Sequence, residues 1–349
     1  VSDGFGGIAS GDLDVVIARV APALAELDRA SIFLTGGTGF FGRWLLALLA
    51  RARTTLPIDL MVTVLSRDPG GFLRASPDLA QLDCVRLIAG DVRSFAFPAG
   101  RFTYVIHAAT DTSAAADRDP MTLIASITEG TRRVLDFATA AEVGRFLYVS
   151  SGAVYGRQPP DLAAIPDDHP GACDPLDPRS AYGQAKRLAE QMCTIVSART
   201  ATAAVIARAF AFVGPGLPLD GHFAIGNFIR DALDGRTIVV SGDGQPVRSY
   251  LYAADLAGWL TTLLVRGMPG TAYNVGSDQP ISIADLAAAV AAEIPSSRGI
   301  AIRGLPSAGA DRNRYVPSIA KARRDLGLDV WTPLDQAIRR TADAARRTG

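Results

Sequence analysis

The sequence is short of cysteine. Cys84, Cys173 and Cys193 are its three, an odd number, widely spaced and without a CxxC pair. That excludes a disulfide framework, offers no zinc-type spacing, and makes a reducing compartment the expected setting. Charge of one sign is also missing, since 35 Lys plus Arg stand against 35 Asp plus Glu in 349 residues. A net charge of zero supplies no global field for nucleic acid or an anionic membrane, so neither is an expected partner and binding must come from a local site. Long uncharged runs are lacking too. Asp12, Asp14, Arg19, Glu26, Asp28 and Arg29 interrupt the first 30 residues, which denies them the core of a signal peptide or membrane span, and a cytoplasmic protein is expected. The 34 Gly and 21 Pro follow no repeat, and a 20% charged fraction fits a folded chain long enough for two lobes.

What is present is an alternation of short apolar runs with helical patterns. Strands are predicted at 31–34, 60–65, 85–89, 104–107, 145–150 and 203–208, with helices over 44–53, 121–141 and 182–198. Apolar strands alternating with helices predict an α/β fold, a Rossmann-type doubly wound parallel sheet. Ahead of it, Leu13, Val16, Ile17, Val20, Leu24 and Leu27 recur at helical spacing, so a packing helix with a kink at Pro22 is expected within an extension spanning 1–30. Beyond Arg208, Gly and Pro punctuation predicts a smaller C-terminal α/β substrate lobe. The expected division is 31–208 plus about 247–276 for the dinucleotide-binding domain, and about 209–246 plus 277–349 for the lobe, with a shared cleft.

Chemistry enters at Ile32-Phe-Leu-Thr-Gly-Gly-Thr-Gly-Phe-Phe-Gly42, a strand, three spaced glycines and a helix start. Gly36 permits a tight turn, Gly39 lets the backbone approach a pyrophosphate, and Gly42 allows close packing, with Phe40 and Phe41 at the helix start. The next strand ends in Ser66-Arg67, where a carboxylate for the ribose 2′-hydroxyl is usual in NAD-binding proteins. A hydroxyl and a guanidinium suit a 2′-phosphate, which favours NADP; the alternative is NAD, with Asp68 doing the carboxylate's work. Asp91 and Val92 end the third strand, Asp91 as a candidate for the adenine amino group. His107 and the small Ala108 and Ala109 end the fourth; His107 is open between a structural and a functional role.

The fifth strand runs into Ser150-Ser-Gly-Ala-Val-Tyr-Gly156, and Tyr182 and Lys186 follow four apart on one face of a predicted helix. An ammonium near a phenol favours the phenolate, and a serine hydroxyl can hold a reacting carbonyl or alcohol. With these residues the chain, from about Ser31 onward, resembles the extended short-chain dehydrogenase/reductase family, in its nucleotide-sugar branch of epimerases, dehydratases, decarboxylases and ketoreductases. The resemblance implies Tyr182 as acid/base, Lys186 as the group that binds the nicotinamide ribose and lowers the tyrosine pKa, and Ser151 as partner of the reacting oxygen. Residues 242–255 are similar to the segment whose arginine grips the substrate diphosphate, here Arg248, and Ala272-Tyr-Asn-Val-Gly276 also fits. Arg312 and Arg314 are further candidates for a phosphate or ribose contact. A homodimer through the helices 121–141 and 182–198 is implied as well.

Departures from the family pattern narrow the reaction. Its dehydratases carry Asp-Glu directly after the catalytic hydroxyl residue and its decarboxylases keep the Glu; this chain has Gly152-Ala153, which cannot transfer a proton. Ala211 and Ile127 stand where the family has asparagines that touch the substrate and a proton relay. The favoured expectation is an NAD(P)-dependent 4-ketoreductase acting at carbon 4 of a nucleotide-diphosphate sugar. The alternatives are a 4-epimerase with retained NAD, a 4,6-dehydratase with a displaced acid, a reductase of non-nucleotide ketones, and a non-catalytic dinucleotide sensor or scaffold.

Overall fold

The computed structural model describes residues 4–110, 119–221, 223–305 and 313–348. Seven parallel strands form the main sheet, in spatial order Ala272–Val275, Ala203–Ala209, Arg145–Ser151, Tyr104–His107, Ala30–Thr35, Leu60–Ser66 and Val85–Ala89. The chain starts this sheet at Ala30–Thr35 and winds outward first one way and then the other. The order therefore reverses between Ala30–Thr35 and Tyr104–His107, and the carboxyl ends of those two strands open the crevice where such sheets bind ligands. Side chains alternate across the sheet. Ile32 and Leu34 point into a core shared with the helices Phe40–Thr55 and Ala253–Arg266, whereas Phe33 points into a second core with Leu135, Phe137 and Cys193. Phe33 and Phe137 meet there with ring centroids 4.7 Å apart. Helices on both faces confirm the doubly wound fold read from the sequence.

The N-terminal helix spans Ser10–Ala25 and loses helical geometry at Val20, two residues before Pro22, where the proline ring disfavours a straight helix. It is part of the first core, with Leu13, Leu24 and Leu27 fully buried. Val16 packs so closely on Gly258 that a methyl group added there would lie 2.5 Å from it. Polar ties reinforce the seat: Asp12 accepts from the Tyr252 hydroxyl and pairs with Arg340, and Arg51 clasps Asp14.

The remaining sheets are small. Val247–Arg248 lies between Ile281–Ser282 and Arg314–Tyr315 in a three-stranded sheet, and Ile238–Val240 pairs with Ile300–Ile302. Ser282 caps the helix Ile283–Glu293 by accepting from the Asp285 N–H. Among the described residues, no helix is long and apolar enough to cross a membrane.

Because Leu13 has no exposed surface, Leu13→Ala is expected to destabilise the protein by about 2–5 kcal/mol, as for other fully buried leucines. Urea denaturation measures this; a midpoint equal to wild type would show the helix to be an appendage rather than part of the core.

Candidate active site

The glycine loop sits at the strand-order reversal. Gly36 adopts φ +76, and a side chain there would meet the Ala108 carbonyl at 2.6 Å and the Ala109 N–H at 2.7 Å. Gly42 is equally constrained, since a Cβ would lie 2.3 Å from the Gly37 Cα, which lets the helix Phe40–Thr55 start directly against the loop. Gly39 differs: its nearest non-neighbouring atom to a Cβ is the Gly36 oxygen at 3.4 Å, so the space before this helix N-terminus is open. An open loop of backbone donors at a helix N-terminus fits a dinucleotide pyrophosphate. Phe40 and Phe41 are partly buried at the start of the helix, Phe41 against Phe212 with centroids 4.9 Å apart.

At the far end of the crevice Ser66 is buried and its hydroxyl accepts from the Asp68 N–H. Arg67 is exposed, and its charge acts on Asp91, whose carboxyl is held below the usual range, chiefly by the Arg93 guanidinium at 2.9 Å. Asp68 caps the helix Pro69–Ala75, accepting from the Gly71 N–H at 2.8 Å. Its carboxylate is thereby committed to a helix end. Val92 packs against Gly130 rather than toward a polar partner. Arg43, which the sequence reading passed over, lies with its guanidinium 6.0 Å from the Phe72 ring beside this corner.

The strand Arg145–Ser151 delivers Ser151, and the helix Ala181–Arg199 delivers Tyr182 and Lys186. Ser151 is buried, accepts from the Ala153 N–H at 3.1 Å, and is hydrogen bonded with Tyr182. Lys186 is fully enclosed, donating to the Thr110 hydroxyl at 2.7 Å and the Val149 carbonyl at 2.8 Å, with Nζ 5.9 Å from the Tyr182 ring centre. The structure thus brings the three residues together. Burial pushes the Tyr182 phenol up, opposed by its bond with Ser151, and it pushes Lys186 down to about 7. The expected lowering of the tyrosine by lysine is therefore corrected for the cofactor-free chain, where the ammonium is turned to Thr110 and Val149. Ile127 is buried in the core and cannot relay a proton, and Thr110 holds the lysine from the polar side. His107 is structural: both ring nitrogens are engaged, by Thr35 at 2.7 Å and Thr131 at 3.1 Å, and burial pushes its pKa down to about 3.

From the other side comes Arg248, half-buried and without a carboxylate partner among the described residues; it donates to the Val247 and Asn313 carbonyls. Strand alternation decides its neighbour. Arg248 pairs in register with Tyr315, not Arg314, whose guanidinium reaches the Ala163 carbonyl instead. Arg312 lies outside the described residues. Tyr315, which nothing in the sequence singled out, hydrogen bonds with Ser151 and senses the charge of Arg248. Its hydroxyl and the Phe210 ring fill the space over Gly152, at 2.6 Å and 2.7 Å from where a Cβ would be. Ala211 presents a methyl group and uses its carbonyl to accept from the Leu251 N–H.

This geometry belongs to a dinucleotide-dependent α/β enzyme with a serine, tyrosine and lysine at its centre. Residues 32–276 match the NAD dependent epimerase/dehydratase family. The chain belongs to that family, and is an enzyme of the extended short-chain dehydrogenase/reductase type that its motifs resemble. Among relatives, it is 27% identical over 329 residues to UDP-glucuronic acid decarboxylase 1 of Xenopus tropicalis, covering 93% of this chain and 74% of that protein. It is 28% identical to dTDP-glucose 4,6-dehydratase of an Actinoplanes species, covering 70% and 76%. Among solved structures, a UDP-glucose 4-epimerase of Thermotoga maritima, solved with UDP-glucose, superposes with a TM-score of 0.77 at 20% identity, covering 91% and 99%.

The enclosed Lys186 also has a consequence for stability. Its pKa falls from 10.5 to about 7 on folding, so between those values the unfolded chain binds more protons than the folded one, and stability rises with pH across that window. Lys186→Met is expected to remove this component. Urea denaturation of the cofactor-free protein at several pH values tests it; a slope unchanged in the variant would refute the shift.

Proposed function

We propose that this enzyme transfers hydride at carbon 4 of a nucleotide-diphosphate sugar, acting as a 4-ketoreductase with NADPH. The observation that carries the reading is the surroundings of Ser151: a phenol on either side and Gly152-Ala153 next in the chain, with no acid of the kind a 4,6-elimination or decarboxylation needs. When bound, the nicotinamide supplies the hydride. Tyr182 gives its proton to the carbon-4 oxygen as the carbonyl becomes an alkoxide, and Ser151 hydrogen bonds the same oxygen. Lys186, anchored by Thr110, holds the nicotinamide ribose beside Tyr182. Gly36, Gly39 and Gly42 admit the pyrophosphate, with Ala108 and Ala109 lining the approach. Arg248, lacking a carboxylate among the described residues, is the counter-charge for the sugar nucleotide's diphosphate.

Support for NADPH comes from the adenosine corner. Ser66 is neutral, Arg67 is exposed there, and Asp68 is occupied as a helix cap, so a 2′-phosphate meets a cation rather than a free carboxylate. Reduction is favoured over 4-epimerisation on that ground. The division into a dinucleotide domain and a substrate lobe follows the same roles. Strand pairing moves its boundary, because Arg248 sits in the lobe's three-stranded sheet while Ala253–Arg266 packs on the main sheet.

The test is a panel of UDP- and dTDP-linked sugars and their 4-keto derivatives, with NADPH or NADH, after native mass spectrometry of the protein as isolated. NADPH oxidation by a 4-keto probe, reduced about 100-fold or more in Tyr182→Phe, is the expected result. Retained NAD with interconversion of 4-epimers and no net oxidation would make the enzyme an epimerase, and activity unchanged in Tyr182→Phe would sink the mechanism.

We also propose a homodimer. Met121 on the helix Pro120–Ala140 and Leu188 and Ile195 on its neighbour Ala181–Arg199 are 74%, 51% and 43% exposed, an apolar face on paired helices. Sedimentation should give twice the monomer mass; monomer alone at micromolar concentration would refute it.

A further inference from the structure

We propose that Tyr315 is the positioning residue of Ser151, a phenol from the small three-stranded sheet that aims the serine proton at the reacting oxygen and takes the place of an acid at position 152. The inference rests on the hydride-transfer reading of the site and adds a residue to it.

The first argument is hydrogen-bond capacity. A serine hydroxyl has one proton to donate and two lone pairs that accept. One lone pair of Ser151 Oγ takes the Ala153 N–H at 3.1 Å. Both Tyr182 and Tyr315 are hydrogen bonded with the same hydroxyl. With the Tyr315 phenol as donor, the second lone pair is filled, and the serine proton is left to point at Tyr182 or at a substrate oxygen beside it. Burial keeps Tyr315 protonated by raising its pKa, so it stays a donor across the working pH range. Ser151 thus stops being a free rotor before substrate arrives, the kind of preorganisation that makes an oxyanion donor effective.

The second argument is space. The Tyr315 hydroxyl and Phe210 occupy the volume that any side chain at 152 would need, at 2.6 Å and 2.7 Å from a built Cβ. The two rings lie 4.6 Å apart at 33°, which fixes the phenol's direction. A carboxylate at 152 and a phenol at 315 are therefore mutually exclusive, and this chain carries the phenol. Register secures it as well: Tyr315 pairs with Arg248, so the residue that meets the substrate diphosphate and the one that orients Ser151 sit side by side on one strand pair.

The test is a double-mutant cycle with Ser151→Ala, Tyr315→Phe and the pair together, assayed with NADPH and the 4-keto probe that the wild type reduces. Tyr315→Phe keeps the ring stack on Phe210, and an unchanged urea midpoint checks the fold. It is expected to lower kcat about tenfold with little change in KM, the size of one coupled hydrogen bond. The double variant should be no slower than Ser151→Ala alone, because Tyr315 acts through that hydroxyl. Multiplicative losses, a kcat for Tyr315→Phe equal to wild type, or a loss confined to KM would each overturn the proposal. A wild type that reduces no 4-keto probe would overturn the hydride-transfer reading and this inference with it, whereas a loss in Tyr182→Phe with multiplicative losses in the cycle overturns this inference alone.

Discussion

The buried pair between Glu190 and Arg208 is the contact on which the arrangement of the site depends. Arg208 directs Nε and Nη2 at the Glu190 carboxylate and Nη1 at the Tyr155 hydroxyl and the Asp167 carbonyl. Glu190 also accepts from the Ser150 hydroxyl at 2.6 Å, Tyr155 donates to Asn274 at 2.8 Å, and Asn274 donates to the Ile165 and Ser318 carbonyls. One network therefore joins three neighbouring strands, a helix and two loops. A buried ion pair is weak evidence for net stability, because removing two charges from water is costly. Its value here is geometric: almost every donor of Arg208 is used, so the strand end carrying Ser150 and Ser151 can occupy one position relative to the helix that carries Tyr182 and Lys186.

That helix performs two tasks with one periodicity. Tyr182, Lys186 and Glu190 follow one another at intervals of four, so they form a single stripe facing the sheet. The first meets Ser151, the second is enclosed beneath Thr110 and Val149, and the third enters the Arg208 network. Chemistry and structural anchoring are thus adjacent turns of the same element. Burial that lowers the lysine is opposed by the Glu190 charge one turn away, so the network that locates the site also supports its cation.

Much of this was legible in the sequence, and for identifiable reasons. Strand runs such as Val85–Ala89 and Tyr104–His107 are apolar and bounded by Gly or small residues, and both appear with the predicted limits. The glycine spacing located the strand-order reversal, because each glycine answers a steric demand that no other residue meets. Pairwise contacts between distant segments were not legible. Nothing near position 315 announces that its phenol reaches Ser151; that follows from a two-residue strand pairing whose one-residue register decides between Arg314 and Tyr315. A basic residue drew attention where the neighbouring aromatic faces the site. The direction of the Tyr182 shift was missed for a related reason, since spacing places lysine near tyrosine but does not show that Thr110 and Val149 hold the ammonium.

The position of Tyr315 also bears on how a neutral chain selects its reaction. Elimination across carbons 5 and 6 needs a group that takes a carbon-bound proton and another that delivers one to a departing hydroxyl, and carboxyl side chains after the catalytic hydroxyl residue supply both in the dehydratases this chain resembles. Here that volume holds a phenol and a phenyl ring. A buried phenol whose pKa is raised can donate a hydrogen bond but is a poor base, so it can steady an oxygen and cannot remove a proton from carbon. The same side chain leaves hydride transfer untouched, because that step asks only for a donor at the carbon-4 oxygen and a fixed serine beside it. Gly152 and Tyr315, more than 160 residues apart in the chain, act as a single selection between two chemistries, and neither is interpretable without the other.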